Sequence, residues 1–102
     1  MGNSNVFGEK KTVKQIIREQ KRINNRSIRQ LERELNKIKR EEKKNQMEMK
    51  RLAKQGQLQG VRALAKDIVR MRATQNNFIK LKCELRSLSH QMDNMQANKQ
   101  LM

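Results

Sequence analysis

The chain has 102 residues, of which 25 are Lys or Arg and 10 are Asp or Glu, giving a formal net charge of +15. It contains no Pro, Trp or Tyr and only two Phe, which excludes an aromatic-rich core and is typical of long helices. With 34% hydrophobic residues in so short a chain, we expect apolar stripes between helices rather than a thick globular core. The charge itself indicates an anionic partner.

Targeting signals are absent from the pattern. No apolar run approaches the roughly 18 residues that span a bilayer, and the start lacks the apolar segment of a secretory signal. Cys83 is the only cysteine, which excludes an internal disulfide and fits a reducing compartment. Met1-Gly2 begins like a myristoylation motif, but Val6 stands where that motif requires Ser or Thr. We therefore predict a cytoplasmic protein.

Residues 1–11 are predicted to form a flexible arm. Gly and Asn surround two adjacent bulky apolar residues, Val6 and Phe7. Together with basic residues, two such side chains are able to insert shallowly at a membrane interface. A disordered tail, or packing of these residues against the first helix, is the alternative interpretation.

A basic helix is predicted over residues 12–55. Thr12 and Gln15 have the spacing of a capping box, and apolar residues follow at steps of three and four. Cations precede Gly56, which is typical of a helix end, so the hairpin turn is placed at 56–57. The part of this stripe that we assign to the hairpin and assembly seam consists of Ile28, Leu31, Leu35, Ile38, Met49 and Leu52.

A second helix is predicted over residues 58–102. Its seam consists of Val61, Leu64, Ile68, Met71, Phe78, Leu81, Leu85, Leu88, Met92 and Met95. The short step from Phe78 to Leu81 predicts local overwinding. Because the two helices have nearly equal lengths around a Gly turn, the fold class is all-α, a long antiparallel hairpin. A parallel dimer of uninterrupted helices is the alternative.

The first half of the chain carries a ladder of cations spaced three or four residues apart. On a helix this spacing makes one long ribbon, and the repulsion between like charges favours a polyanionic partner. The alternative is a solvated face, although such faces usually mix both signs. The ladder, whose partner we predict to be a polyanion such as an anionic membrane, consists of Lys10, Lys14, Arg18, Arg22, Arg26, Arg29, Arg33, Lys37, Arg40, Lys44 and Arg51.

Catalytic and metal-binding patterns do not occur. His90 has no second His, Cys, Asp or Glu four residues before or after it, so we predict no metal site. The carboxylates are scattered among cations, and no Gly-rich phosphate loop follows a strand. We predict that the protein is not an enzyme, has no catalytic residues and needs no cofactor.

Nucleic acid is the rival polyanion. Asn25 and Arg33 fit the spacing of a bZIP basic region, but Lys43, Lys50 and Gln57 occupy the positions where leucines would follow. Aromatic residues for stacking on single strands are absent as well. Specific recognition is therefore disfavoured, and a basic hairpin that binds nucleic-acid backbones in a ribonucleoprotein stays as the alternative function.

Several stretches of the sequence carry a resemblance to a known family. They are Val6-Phe7-Gly8, Lys10-Lys11-Thr12, the run from Arg29 to Glu34, and the run from Met49 to Gln57 continued from Val61 to Arg72. The first three resemble the start of an ESCRT-III subunit of the charged multivesicular body protein family, most closely the vacuolar protein sorting two class. The last is similar to the hairpin tip of that family and is the most specific part.

The resemblance implies a cytoplasmic subunit that is peripheral on endosomal or other cellular membranes. It also implies that the subunit polymerises on anionic membranes, where the hairpin opens into an extended form, and contributes to membrane deformation and scission in endosomal sorting. It implies that Val6 and Phe7 insert into the bilayer and that the basic first helix faces lipid headgroups. The implied partners are other ESCRT-III subunits, further copies of the chain and an AAA-type disassembly ATPase. The family recruits that ATPase through a C-terminal region outside these 102 residues, so we interpret the chain as a hairpin core.

Overall fold

Two α-helices lie antiparallel in the computed structural model, which describes residues 10–98. Helix α1 spans Val13–Lys54 and helix α2 spans Leu58–Ala97. The predicted all-α hairpin is confirmed, and its long axis measures 69 Å. Val6 and Phe7 lie outside the described residues.

Helix α1 begins at a complete capping box. The Thr12 hydroxyl accepts a hydrogen bond from the Gln15 backbone N–H at 3.1 Å, and the Gln15 side chain accepts one from the Thr12 N–H at 3.0 Å. These two bonds satisfy donors that have no partner within the helix. Local sequence therefore places the start of α1 directly after Thr12.

The turn depends on two glycines. Gly56 has a φ of 73°, in the left-handed region that residues with a Cβ rarely adopt. At Gly60 an added Cβ would lie 2.8 Å from Leu52 Cδ1, so this glycine lets the first turn of α2 approach the last turns of α1. Gly56 reverses the chain and Gly60 permits close packing directly after the reversal.

The interhelical seam follows strict alternation of three- and four-residue steps on both helices. On α1 it consists of Ile17, Lys21, Asn24, Ile28, Leu31, Leu35, Ile38, Glu42, Asn45, Met49 and Leu52. On α2 it consists of Val61, Leu64, Ile68, Met71, Gln75, Phe78, Lys82, Leu85, Ser89, Met92 and Gln96. This is the heptad spacing of an antiparallel coiled coil, in which each helix buries a single stripe.

Three expected hairpin contacts on α2 are corrected. Leu81, Leu88 and Met95 lie beside the seam and are 42–44% exposed, while the following residues, Lys82, Ser89 and Gln96, take the seam positions. After Phe78 the heptad continues with a step of four, so the overwinding expected from a three-residue step to Leu81 is wrong. Hydrophobicity favoured the leucines, but helix periodicity decides which residue faces α1.

The seam is thin. Its buried apolar side chains within residues 10–98 are Ile17, Ile28, Leu35, Ile68 and Met92, and none of the described side chains is completely removed from solvent. Burial of one such side chain stabilises a fold by about 1.5–3 kcal/mol, so a few central residues carry much of the hairpin's stability.

We expect L35A to lower the free energy of unfolding by about 2–4 kcal/mol, because Leu35 is only 4% exposed and its truncation leaves a cavity in the seam. The matched control is I23A, since Ile23 lies on the same helix and is 51% exposed. Urea unfolding followed by circular dichroism at 222 nm measures both. Equal destabilisation by the two variants contradicts the assigned seam.

Candidate membrane and assembly surfaces

Polar contacts across the seam fix the register and lie towards one face of the hairpin. Glu32 Oε2 accepts a hydrogen bond from Arg86 Nη2 at 3.0 Å and lies 3.9 Å from Lys82 Nζ. The open end of the hairpin is the end opposite the turn. Nearer that end, Lys21 pairs with Asp93, and Ser89 Oγ donates a hydrogen bond to Asn25 Oδ1 at 3.2 Å. On each helix several of these residues directly follow a seam residue. We name this side the ion-pair face; its members include Arg18, Asn25, Glu32, Lys39, Arg72, Ile79, Arg86 and Asp93.

Asn24 is the buried polar residue of the seam, with 6% exposure. Its side-chain Nδ2 donates a hydrogen bond to the Leu85 backbone carbonyl at 2.6 Å. Because a buried amide without a partner costs free energy, this bond favours one register over its neighbours. The contact therefore aligns α1 with α2 near the open end.

Glu42 links the two helices by hydrogen bonds near the middle of the hairpin. Its Oε1 accepts a hydrogen bond from Gln75 Nε2 at 2.8 Å, and its Oε2 accepts two from Arg72 at 3.3 Å. The carboxylate is only 17% exposed, so these contacts are screened less than surface pairs. Glu42 follows Ile38 by four residues, which fits the spacing of the seam, and Gln75 and Arg72 are its partners on α2.

All eleven ladder side chains, Lys10, Lys14, Arg18, Arg22, Arg26, Arg29, Arg33, Lys37, Arg40, Lys44 and Arg51, are exposed. Arg51 pairs with Glu48 on the same helix, and within residues 10–98 the other ten make no ion pair with a carboxylate. Steps of four pass a full turn by about 40° each, so the ladder winds slowly around α1. It starts beside the seam at Lys14 and turns outward from Arg26.

The N-terminal part of the ladder lines a groove on the ion-pair face. This shallow groove of about 540 Å³ is formed by Lys14, Arg18, Lys21, Arg22, Asn25, Arg29 and Gln96. Five of these seven residues are cations. The Lys21 side chain also donates to Gln96 Oε1 at 3.2 Å, which fixes its position between the helices. The groove concentrates positive charge at the open end and presents donors suited to phosphate or carboxylate oxygens.

Two exposed carboxylates are held in their charged form. The hydrogen bond from Lys11 lowers the pKa of Glu19, and the hydrogen bond from Arg51 lowers the pKa of Glu48. The same contact raises the pKa of Arg51. A lowered pKa in the folded state means that folding favours the ionised acid. These pairs therefore stabilise the folded state above the ordinary pKa of Glu, and the stabilisation is lost as the pH falls through the lowered pKa.

The side of the hairpin opposite the ion-pair face exposes apolar side chains at the open end. Ile16, Ile23, Leu81, Leu88 and Met95 are 42–51% exposed there. We name as the apolar face the positions that carry them and their neighbours: Ile16, Gln20, Ile23, Ser27, Gln30, Leu81, Glu84, Leu88, Gln91 and Met95. It contains no Lys or Arg, and Glu84 is its one charged member. In a chain of net charge +15 such a strip is unusual.

The remaining chemistry-bearing side chains stand apart. Cys83 and His90 are both exposed on α2. Among residues 10–98 no group of three His, Cys, Asp or Glu side chains is arranged to hold a metal ion. Neither helix, over its described length, is apolar enough for membrane crossing.

Sequence reasoning missed two features of these surfaces. Lys21 falls outside the three- and four-residue ladder, yet it joins the groove from a seam position. The sequence pattern did not reveal the apolar face, because Leu81, Leu88 and Met95 were assigned to the seam. A strict heptad count from Ile68 would have found it, since that count assigns Lys82, Ser89 and Gln96 to the seam.

Comparison with known proteins gives one consistent family. The Snf7 family model matches residues 19–102. Vacuolar protein sorting-associated protein 2 homolog 1 of Arabidopsis thaliana is 37% identical over 94 residues, covering 92% of this chain and 42% of the relative. Charged multivesicular body protein 2a of Homo sapiens is 41% identical over 93 residues, covering 91% and 42%. Charged multivesicular body protein 2a homolog 2 of Dictyostelium discoideum is 34% identical over 92 residues, covering 90% and 46%.

The structure therefore defines a class of protein, the long antiparallel helical hairpins with a basic first helix. The chain belongs to the Snf7 family, whose members include the ESCRT-III subunits, and the resemblance seen in the sequence is confirmed. It spans less than half the length of the curated relatives it matches.

We expect E42Q to lower the free energy of unfolding by about 1–2 kcal/mol, because an amide replaces one of two carboxylate oxygens that both accept hydrogen bonds. The matched control is E41Q, which makes the same charge change at an exposed neighbour. Thermal and urea unfolding measure the difference. An E42Q variant as stable as E41Q would show that the Glu42 contacts contribute nothing.

Proposed function

We propose that this chain is the hairpin core of an ESCRT-III filament subunit that polymerises on anionic membranes and contributes to membrane deformation and scission in endosomal sorting. The observation that carries the proposal is the ladder of exposed cations, of which four line the groove at the open end with Lys21. Family membership supports the same role, because matched relatives are named for vacuolar protein sorting and multivesicular bodies.

The magnitude of the electrostatic attraction favours binding by many subunits. Each Lys or Arg near an anionic leaflet contributes about 1 kcal/mol, and this attraction falls off within a Debye length. One hairpin places only a few cations against the leaflet at once. A single copy therefore binds the membrane weakly, and its binding weakens as salt rises. A polymer multiplies the contact through avidity, which links membrane binding to assembly.

Val6 and Phe7 extend the proposal. Two apolar side chains are too few to anchor a protein alone, but next to a cationic surface they add interfacial burial. In this proposal they insert shallowly while the ladder binds headgroups. Lys10 and Lys14 lie a few residues after the pair in the sequence, so in this proposal both kinds of contact act together.

The proposed partners follow from the family. They are further copies of the chain, other ESCRT-III subunits and, through regions beyond these 102 residues, an AAA-type disassembly ATPase. The chain itself has no proposed enzymatic role. Opening of the hairpin into an extended form within the polymer is part of the same proposal.

We expect simultaneous reversal of Arg22, Arg26, Arg29 and Arg33 to Glu to abolish cosedimentation with vesicles rich in phosphatidylserine, because the ladder then repels the leaflet. All four side chains are exposed, so helicity is retained. The parent chain should bind these vesicles at low salt and dissociate from them as salt rises. It should not bind vesicles of phosphatidylcholine alone.

The matched control reverses Lys54, Lys66, Arg70 and Lys80, which are also exposed but lie away from the open-end groove. It makes the same change in net charge, so it should retain most of the binding. Loss of binding in both variants would indicate a general charge effect and no lipid-facing ladder. Electron microscopy at matched salt adds the nucleic-acid comparison: ordered coats on RNA or DNA but not on vesicles contradict the proposal.

A further inference from the structure

The apolar face is most exposed where the described chain begins. Val13, Ile16 and Met95 are 50%, 46% and 42% exposed, and Val13 lies three residues before Ile16 on the same side of α1. The Lys21 side chain donates to Gln96, the residue after Met95, so Met95 lies within about two helical turns of Ile16 along the axis. We name Val13, Ile16 and Met95 the open-end patch.

The start of α1 lacks the apolar contact that often accompanies a capping box. In that contact, the hydrophobic staple, an apolar residue directly before the N-cap packs on the fourth residue of the helix. In α1 the N-cap is Thr12 and the fourth residue is Ile16. The residue before the cap is Lys11, whose Nζ pairs with Glu19 at 2.9 Å. Ile16 therefore stays exposed beside a cap whose hydrogen bonds are complete.

Val6 and Phe7 are the nearest apolar residues before the cap in the sequence. Phe7 precedes Lys10, where the described chain begins, by three residues, so the connecting chain spans at most about 11 Å. Ile16 lies four residues after Thr12, about 6 Å along the helix axis. The open-end patch is therefore within reach of the Phe7 side chain.

The chemistry of the patch fits this segment. No Lys or Arg belongs to the apolar face, and Glu84 is its one charged member. Residues 1–8 of the predicted arm carry no charged side chain, so an uncharged segment meets an apolar surface. An anionic leaflet is attracted instead to the cationic groove on the ion-pair face.

We propose that Val6 and Phe7 pack on the open-end patch of their own chain, with Phe7 against Ile16 and Met95. The contact rests on the proposed membrane function and regulates it, because side chains buried on the hairpin are not available to a bilayer. Insertion of the pair then requires release of the arm, and burial at the membrane interface replaces burial on the patch. The ladder cations are exposed without this release, so headgroup contact precedes insertion.

Fluorescence of an F7W variant measures docking in the absence of lipid. The chain has no native Trp, so this variant carries a single reporter. We expect F7W to show blue-shifted emission because the patch removes the indole from water. Acrylamide should quench it at least twofold less than F7W/I16Q/M95Q, in which the patch is polar.

The matched control is F7W/V69Q/L81Q, which makes the same number of apolar-to-Gln changes. Val69 and Leu81 are 67% and 43% exposed, so both variants keep the seam intact. Leu81 shares the apolar face with Met95 but lies fourteen residues from it, roughly 21 Å along α2 and beyond the reach of the arm. The control should therefore emit and be quenched like F7W itself.

Three results would overturn the contact. One is solvent-like emission from F7W alone. Another is equal quenching of the two triple variants, with circular dichroism showing both to be helical. The third is a blue shift that disappears on dilution, because a contact within one chain does not depend on protein concentration and such a shift would assign the patch to a second copy.

Vesicle binding tests the regulation. I16Q/M95Q should cosediment with phosphatidylserine vesicles several-fold more strongly than the parent chain at limiting lipid, because the arm no longer has to leave the patch. In an F7S background the same two substitutions should change binding less than twofold, since the side chain that competes for the bilayer is gone. Binding by I16Q/M95Q that is equal to or weaker than that of the parent chain overturns the competition.

The two proposals fail in different ways. A docked F7W indole in a chain that binds no anionic vesicles supports the contact and rejects the membrane function. Vesicle binding by a chain whose F7W emission is solvent-like before lipid is added leaves the membrane function standing and rejects the contact.

Discussion

A single stripe of seam residues, repeated every three or four positions along helices of 42 and 40 residues, holds this hairpin together. Each helix has only one partner, so each buries one stripe and leaves most of its circumference in water. The rest of the surface is therefore free to carry charge. Eleven ladder cations with no second layer of protein over them are a direct consequence of this architecture.

Polar residues inside the stripe give the hairpin its register. Asn24, Glu42 and Lys21 would weaken a seam if they had no partners, yet each finds one on α2: the Leu85 carbonyl, Gln75 with Arg72, and Asp93. The apolar residues supply the attraction, while the polar contacts select one alignment among those that a heptad permits. That alignment sets which cations line the groove with Gln96.

The two faces beside the seam follow from the same geometry. A residue that comes directly after a seam position points to one side, and a residue directly before it often points to the other. On α2 this places Arg72, Arg86 and Asp93 on one face and Leu81, Leu88 and Met95 on the opposite face. One face is rich in charge and the other, at the open end, carries no cation.

Composition, the capping box at Thr12, the glycine at 56 and the two apolar periodicities were sufficient to predict two long helices folded into a hairpin, because these signals are local. The exposed ladder could also be read directly, since a cation repeated at helix spacing stays in water. The choice between Leu81 and Lys82, or between Leu88 and Ser89, was not local: both members of each pair fit a helix, and only the packing of α1 against α2 decides which one turns inward. The groove with Lys21 and Gln96 required the tertiary structure for the same reason, because its two sides come from residues 75 positions apart in the chain.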